Sequence, residues 1–172
     1  MRRISIVVLA GAFIWLLGGQ LNAAEKSDDK EHAELAKALK DAKVSLEKGL
    51  SASESQGKPI SGKFEVEDGK LQLSVYTMKG DKFSEVIVDH KTGKVAKTEA
   101  ITSGDDLKAS KAQSEAMTKA KVSLRSATEK AIKANKGYRA VSVTPSLKDG
   151  HPVAEITLVK GEEFKTASEK LD

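Results

Sequence analysis

Cysteine does not occur among the 172 residues, which excludes disulfides, thiolate metal ligands, thiol nucleophiles and the cysteine that anchors a lipoprotein. Aromatic side chains make up only 4%, so the core must be aliphatic. The one long apolar run, Ile4 to Leu17, is shorter than the roughly 20 residues a membrane-spanning helix needs. No stretch concentrates positive charge beside aromatic stacking platforms, the usual mark of a nucleic-acid surface. Instead, Lys and Glu or Asp are interspersed, as on solvated helix faces. Glycine-rich phosphate loops, nucleophile elbows and paired catalytic carboxylates are likewise missing. These absences point away from an enzyme: no catalytic, cofactor-binding or metal-binding residue is expected, and no cofactor.

The amino terminus carries a different kind of information. Arg2 and Arg3 precede the apolar run, and Gly18, Gly19, Ala23 and Ala24 follow it. A positive start, an apolar stretch of about 7–15 residues and a small-residue end describe a cleavable export signal. Residues 1–24 are therefore expected to be a signal peptide, and the protein to be periplasmic or secreted, with no membrane attachment after cleavage. Removing them takes away Arg2 and Arg3 and no acidic residue, so 29 basic against 25 acidic side chains become 27 against 25. The nominal pI of about 9.1 thus overstates how basic the exported part is. Five aromatics remain: Phe64, Tyr76, Phe83, Tyr138 and Phe164.

Beyond the signal, periodicity reads as helix, strands, helix, strands. Leu35, Leu39, Ala42, Leu46 and Leu50 recur at helical spacing and predict one helix from Ser27 to about Leu50. A polar loop is expected over 51–62. Phe64 and Val66, then Leu71, Leu73 and Val75, alternate as strands around the turn Asp68-Gly69. Lys79-Gly80 turns again before a strand from Phe83 to Val88, and a turn over 89–94 precedes Val95. Residues 101–109 read as a connector. Met117, Ala120, Leu124, Ala127 and Ala131 then predict a second helix reaching Lys136, ended by Gly137. Strands follow at Val141 and Val143 and at Val153, Ile156 and Leu158, with turns at Asp149-Gly150 and Lys160-Gly161. A short or frayed segment is expected from Phe164.

The halves repeat in order. Ala42-Lys43-Val44-Ser45-Leu46 recurs letter for letter as Ala120-Lys121-Val122-Ser123-Leu124, 78 residues later. Asp68-Gly69, Lys79-Gly80 and Phe83 recur as Asp149-Gly150, Lys160-Gly161 and Phe164, 81 residues later. Short turns make each hairpin antiparallel. The expected class is α+β: two repeated units, 25–100 and 101–172, each one helix packed on one face of an antiparallel sheet of three to four short strands.

Residues 82–95, KFSEVIVDHKTGKV, resemble the end of a PepSY domain, with Val88, Asp89, Thr92, Gly93, Lys94 and Val95 matching its closing motif. The upstream helix, the Asp68-Gly69 turn and Val75-Tyr76 before Gly80 extend the likeness over nearly all of the first unit. The second unit is degenerate: Ala167, Ser168, Glu169 and Lys170 stand where the first has Val86, Ile87, Val88 and Asp89, and Asp172 ends the chain before any such turn. The resemblance implies an extracytoplasmic bacterial protein that regulates proteases or binds peptides, without catalysis.

Few residues invite a sharper reading. His32, His90 and His151 fall in three separate segments without ligand spacing, so no metal site is expected of them. Asp105-Asp106 and Glu162-Glu163 suit a helix start and a turn. Asp89, Thr92 and Gly93 are accounted for by turn chemistry. The expected function is a non-catalytic module that binds a protein or peptide, a protease among the candidates, through the sheet's open face or an edge strand. The alternative is an envelope sensor or structural protein holding a small ligand in the cleft between the units. Oligomeric state is not legible.

Overall fold

The computed structural model describes residues 24–172; residues 1–23, nearly all of the expected signal peptide, lie outside them. Among the described residues, no helix is long and apolar enough to cross a membrane. The architecture is α+β, with four α-helices and one seven-stranded antiparallel sheet. In chain order the elements are α1 (Ala24–Ala38), a short 3-10 turn (Leu39–Asp41), α2 (Leu46–Ser53), β1 (Lys58–Glu67), β2 (Lys70–Lys79), β3 (Lys82–Val88) and β4 (Val95–Ile101). There follow α3 (Gly104–Lys119), α4 (Leu124–Ala134), β5 (Arg139–Lys148), β6 (His151–Lys160) and β7 (Glu163–Lys170). The strand order is β4-β3-β2-β1-β5-β6-β7.

Each expected long helix is in fact two. Residues 42–45 and 120–123, which continue the helical spacing without a break, leave the helix. Their amides find other acceptors: Lys43 and Val44 donate to the His90 carbonyl at 2.9 and 3.0 Å, and Lys121 and Val122 donate to the Leu171 carbonyl at 2.7 and 3.0 Å. Ser45 then caps α2 by accepting from the Lys48 amide, and Ser123 caps α4 by accepting from that of Ser126. A serine at the N-cap satisfies one of the amides that a helix start leaves free. The letter-identical segments are thus linkers that end in caps.

These breaks let the chain cover both faces of the sheet. A Cβ added to Gly62 would lie 3.2 Å from Leu50 and 3.4 Å from Leu46, so α2 sits over the face that carries Gly62. Val75 and Val143 pair with Gly62 and share that face. α4 packs beside α2, and its Lys130 reaches Glu169 on the same side. Side chains alternate along a strand, so Ser61 points the opposite way, where its hydroxyl donates to Gln113 of α3 at 2.8 Å. On that second face His32 of α1 stacks on Phe164. Helices on one face only, as expected from the sequence, is therefore corrected to helices on both.

The first face holds the drier core: Leu73, Val75, Val86, Val88, Val143 and Ile156 against Leu46, Leu50, Leu124, Ala127 and Ala131, all buried. Strands run longer than expected. β1 begins at Lys58, inside the expected loop, with Ile60 fully buried. The last strand is neither short nor frayed: β7 spans eight residues, and Leu171 beyond it is fully buried. The sheet is also larger than either expected unit, because β1 and β5 pair at its centre through Gly62–Val143 and Lys63–Ser142. The register irregularity of the β1–β2 hairpin falls between Pro59 and Ser61, and that of β5–β6 between Ala140 and Ser142.

Candidate functional site

Three places carry more chemistry than packing requires. The first is a cavity of about 230 Å³ where the two halves meet, lined by Leu50 and Glu54 of α2, Gly57, Lys58 and Pro59 at the start of β1, Met117 of α3, and Ser123, Leu124 and Arg125 at the start of α4. Its floor is aliphatic. Its charged members are Glu54, Lys58 and Arg125, all exposed. Lys58 donates to the Met117 carbonyl at 2.7 Å, a cation on one of the free carbonyls at a helix end.

On the other side of the seam Arg139 occupies the corresponding position and does more. Its guanidinium donates to the Leu39 carbonyl at 3.1 Å and the Val44 carbonyl at 3.4 Å, and lies 5.4 Å above the Phe64 ring. Burial lowers its pKa, and the Glu47 carboxylate acts in the opposite sense.

The second place is the outer edge of β4. This strand pairs only with β3, and Ala96, Lys97, Thr98 and Ala100 are exposed. Its outward backbone groups have no strand partner, and although helices lie on both faces of the sheet, none is packed closely on β4. At the opposite edge, β7 alternates Glu163, Lys165, Glu169 and Lys170, and Lys130 of α4 pairs with Glu169 at 2.6 Å. Charges so placed discourage strand addition there.

The third is a polar cluster on the second face near α3. The Tyr76 hydroxyl donates to Glu85 at 3.2 Å, Ser74 donates to Glu65 at 2.9 Å, and Lys63 pairs with Glu65 at 2.6 Å. Desolvation raises the pKa of Glu85, with Glu65 adding to it and bonds from Ser74 and Tyr76 opposing. Burial and the nearby Glu85 charge push the Tyr76 hydroxyl far up. Asp106 of α3 is also raised, by partial burial first, against the pull of Lys63. A tyrosine held protonated and a carboxylate biased toward its acid form tie the sheet together, and neither lines the seam cavity.

The histidines stay apart. His32 stacks on Phe164 at 4.1 Å, His90 lies in the turn after β3, and the His151 ring contacts Asp172 at 2.7 Å. Among the described residues no group of three or more His, Asp or Glu side chains is arranged to hold a metal ion. A shallow hollow beside His32, lined by Asp29, Ala33, Glu162 and Phe164, brings none of the others near. Asp105 and Asp106 occupy the first turn of α3. In the turn over 89–94, the Asp89 carboxylate accepts from the Lys91 and Thr92 amides at 2.8 Å each, and Gly93 takes a φ of +76°. Those amides, Thr92 foremost, hold Asp89 below the usual carboxylate range. Asp89, Thr92 and Gly93 thus each have a local structural partner, whereas the His90 Nδ1 is buried without one.

The sequence reading expected a cleft between the units but named none of its lining residues, and it missed Glu85. A glutamate between Phe83 and Ile87, on one side of an otherwise apolar strand, was the available signal for the latter. Comparison with known proteins finds no matching family model, no matching curated protein and no matching solved structure.

Proposed function

We propose that the chain is an exported, non-catalytic, PepSY-like binding module built from two tandem units, the second degenerate, and that it engages a protein or peptide partner, a protease among the candidates, in the bacterial envelope. The observation that carries this is the free edge of β4 on a sheet with helices on both faces. An extended segment adding there gains main-chain hydrogen bonds along seven residues, the mode by which exposed edges recruit peptides. The duplication draws support from the recurrence of hairpin turns, register irregularities and linker-to-carbonyl bonds in both halves. The resemblance of residues 82–95 to the PepSY closing motif supports the family, and the Arg2-Arg3 start with its apolar run supports export.

The test is inhibition of extracytoplasmic proteases by the purified protein, alongside the double variant Ala96→Lys, Ala100→Lys, whose exposed substitutions leave the core untouched. The wild type slows at least one protease, and the variant loses about tenfold in potency, or about 1.4 kcal/mol. Absence of any inhibited protease, together with no partner recovered from an envelope extract, refutes the reading. A second reading, a sensor or structural protein holding a small ligand between the units, is favoured by the 230 Å³ cavity at the seam.

A further inference from the structure

The two sides of the seam are built alike and finished differently. Lys58 and Arg139 stand 81 residues apart, at the starts of β1 and β5, and each donates to a carbonyl of a helical segment from the other half, Met117 in the last turn of α3 for one and Leu39 in the 3-10 turn after α1 for the other. Around Arg139 the space is closed. Its second nitrogen bonds the Val44 carbonyl, the Phe64 ring lies beneath it, and the Glu47 carboxylate acts on its charge.

Around Lys58 each of these features is altered. An ammonium makes one bond where the guanidinium makes two. The position matching Phe64 is Pro145, which supplies no ring, and the position matching Glu47 is Arg125. A cation with a carboxylate acting on its charge on one side is therefore matched by two cations on the other, and among the described residues none of Arg139, Lys58 and Arg125 forms an ion pair. The first amides of α4, at Leu124 and Arg125, lie at the same mouth, and no helix carbonyl reaches them. Glu54 is the single carboxylate in the lining. Beneath this positive rim the walls are Leu50, Pro59, Met117 and Leu124.

We infer that the seam cavity is a binding site for the carboxyl terminus of a peptide whose last residue is apolar. The volume fits that occupant: an apolar cavity of about 150 Å³ accepts a benzene ring, so 230 Å³ takes one leucine- or phenylalanine-sized side chain with its carboxylate and leaves the rest of the peptide outside. Drug-sized ligands fill pockets of about 300–1,000 Å³. The carboxylate sits between Lys58 and Arg125, where it supplies the negative charge that Glu47 supplies on the closed side. The inference deepens the reading of the chain as a two-unit binding module, but none of the residues lining its cavity belongs to β4.

The experiment is titration of the purified protein, followed by the methyl resonance of Met117, with an acetylated tripeptide ending in leucine, with its carboxamide, and with octanoate. The free-acid peptide shifts the Met117 methyl saturably, and the carboxamide binds about tenfold more weakly, the loss expected for a charge-assisted hydrogen bond. The exposed double variant Lys58→Arg, Arg125→Glu recreates the closed arrangement and lowers affinity for the acid by about tenfold or more, while Ala96→Lys, Ala100→Lys binds the peptide as the wild type does. No saturable shift, equal binding of acid and carboxamide, tighter binding of octanoate than of the peptide, or unchanged affinity in the Lys58→Arg, Arg125→Glu variant each overturns the inference. Protease inhibition lost at β4 is read separately, so either idea can fail alone.

Discussion

Glu85 is 5% exposed and faces Tyr76 across the β2–β3 pair. Desolvation dominates its titration and raises its pKa, so the folded state favours the protonated acid. A carboxylic acid raised on folding adds stability that is complete below its unfolded pKa and is lost as pH rises through the folded value. Glutamine does not titrate and still accepts the Tyr76 hydrogen bond through its carbonyl. Glu85→Gln should therefore stabilise the protein at pH 8 by on the order of 1 kcal/mol, the net scale of one buried polar contact, and by less at pH 4. Urea denaturation at both values checks this; a variant weaker at pH 8 than at pH 4, each relative to wild type, contradicts it. Residue-level features of this kind were faintly legible. Strand alternation placed Phe83, Glu85 and Ile87 on one side, but whether that side faced water depended on neighbours from other strands, Tyr76 foremost, which no local pattern encodes.

At the scale of elements, the linkers before α2 and α4 are held from both sides. Ser45 and Ser123 cap the helices that follow, and the His90 and Leu171 carbonyls each take two linker amides. Replacing either serine by alanine should cost about 1 kcal/mol, a typical N-cap loss, measured as a shift in the urea midpoint at constant slope. Removing Leu171 and Asp172 should cost more. It takes away a fully buried side chain and the acceptor for Lys121 and Val122, so about 2–5 kcal/mol is expected, the range for truncating a large buried aliphatic residue; a loss below 1 kcal/mol would show that the linker holds itself. The strands and their turns were legible because Asp-Gly and Lys-Gly pairs interrupt alternating apolar residues. The helix breaks were not. Leu39, Ala42 and Leu46 keep helical spacing straight through the linker, and the bonds that win over helix propagation come from His90, more than forty residues away.

For the molecule as a whole, the halves exchange their supports. Lys58 in the first half terminates α3 of the second, Arg139 in the second binds carbonyls of the first, and Ser61 of β1 donates to Gln113 of α3. α2 and α4 pack together over the central strands, and the buried side chains of both halves form one cluster. A lone half would expose the inner edge of β1 or β5 and lose the helix that crosses to it, and units of that size bury too little surface to compensate. The matched turns of the two halves were readable, but matching letters are the same whether the halves stand apart or share a sheet. The difference lies in side chains that reach across, such as Arg139, whose partners are about a hundred residues away. Unfolding of the whole protein in urea should accordingly follow a single transition, superimposable by far-ultraviolet circular dichroism and tyrosine fluorescence. The separate fragments 25–100 and 101–172 should show no cooperative transition until mixed, because their missing contacts are each other's. A cooperative melt by either fragment alone would mean that the central β1–β5 pairing and the cross-seam cations decorate two self-sufficient units rather than joining them into one.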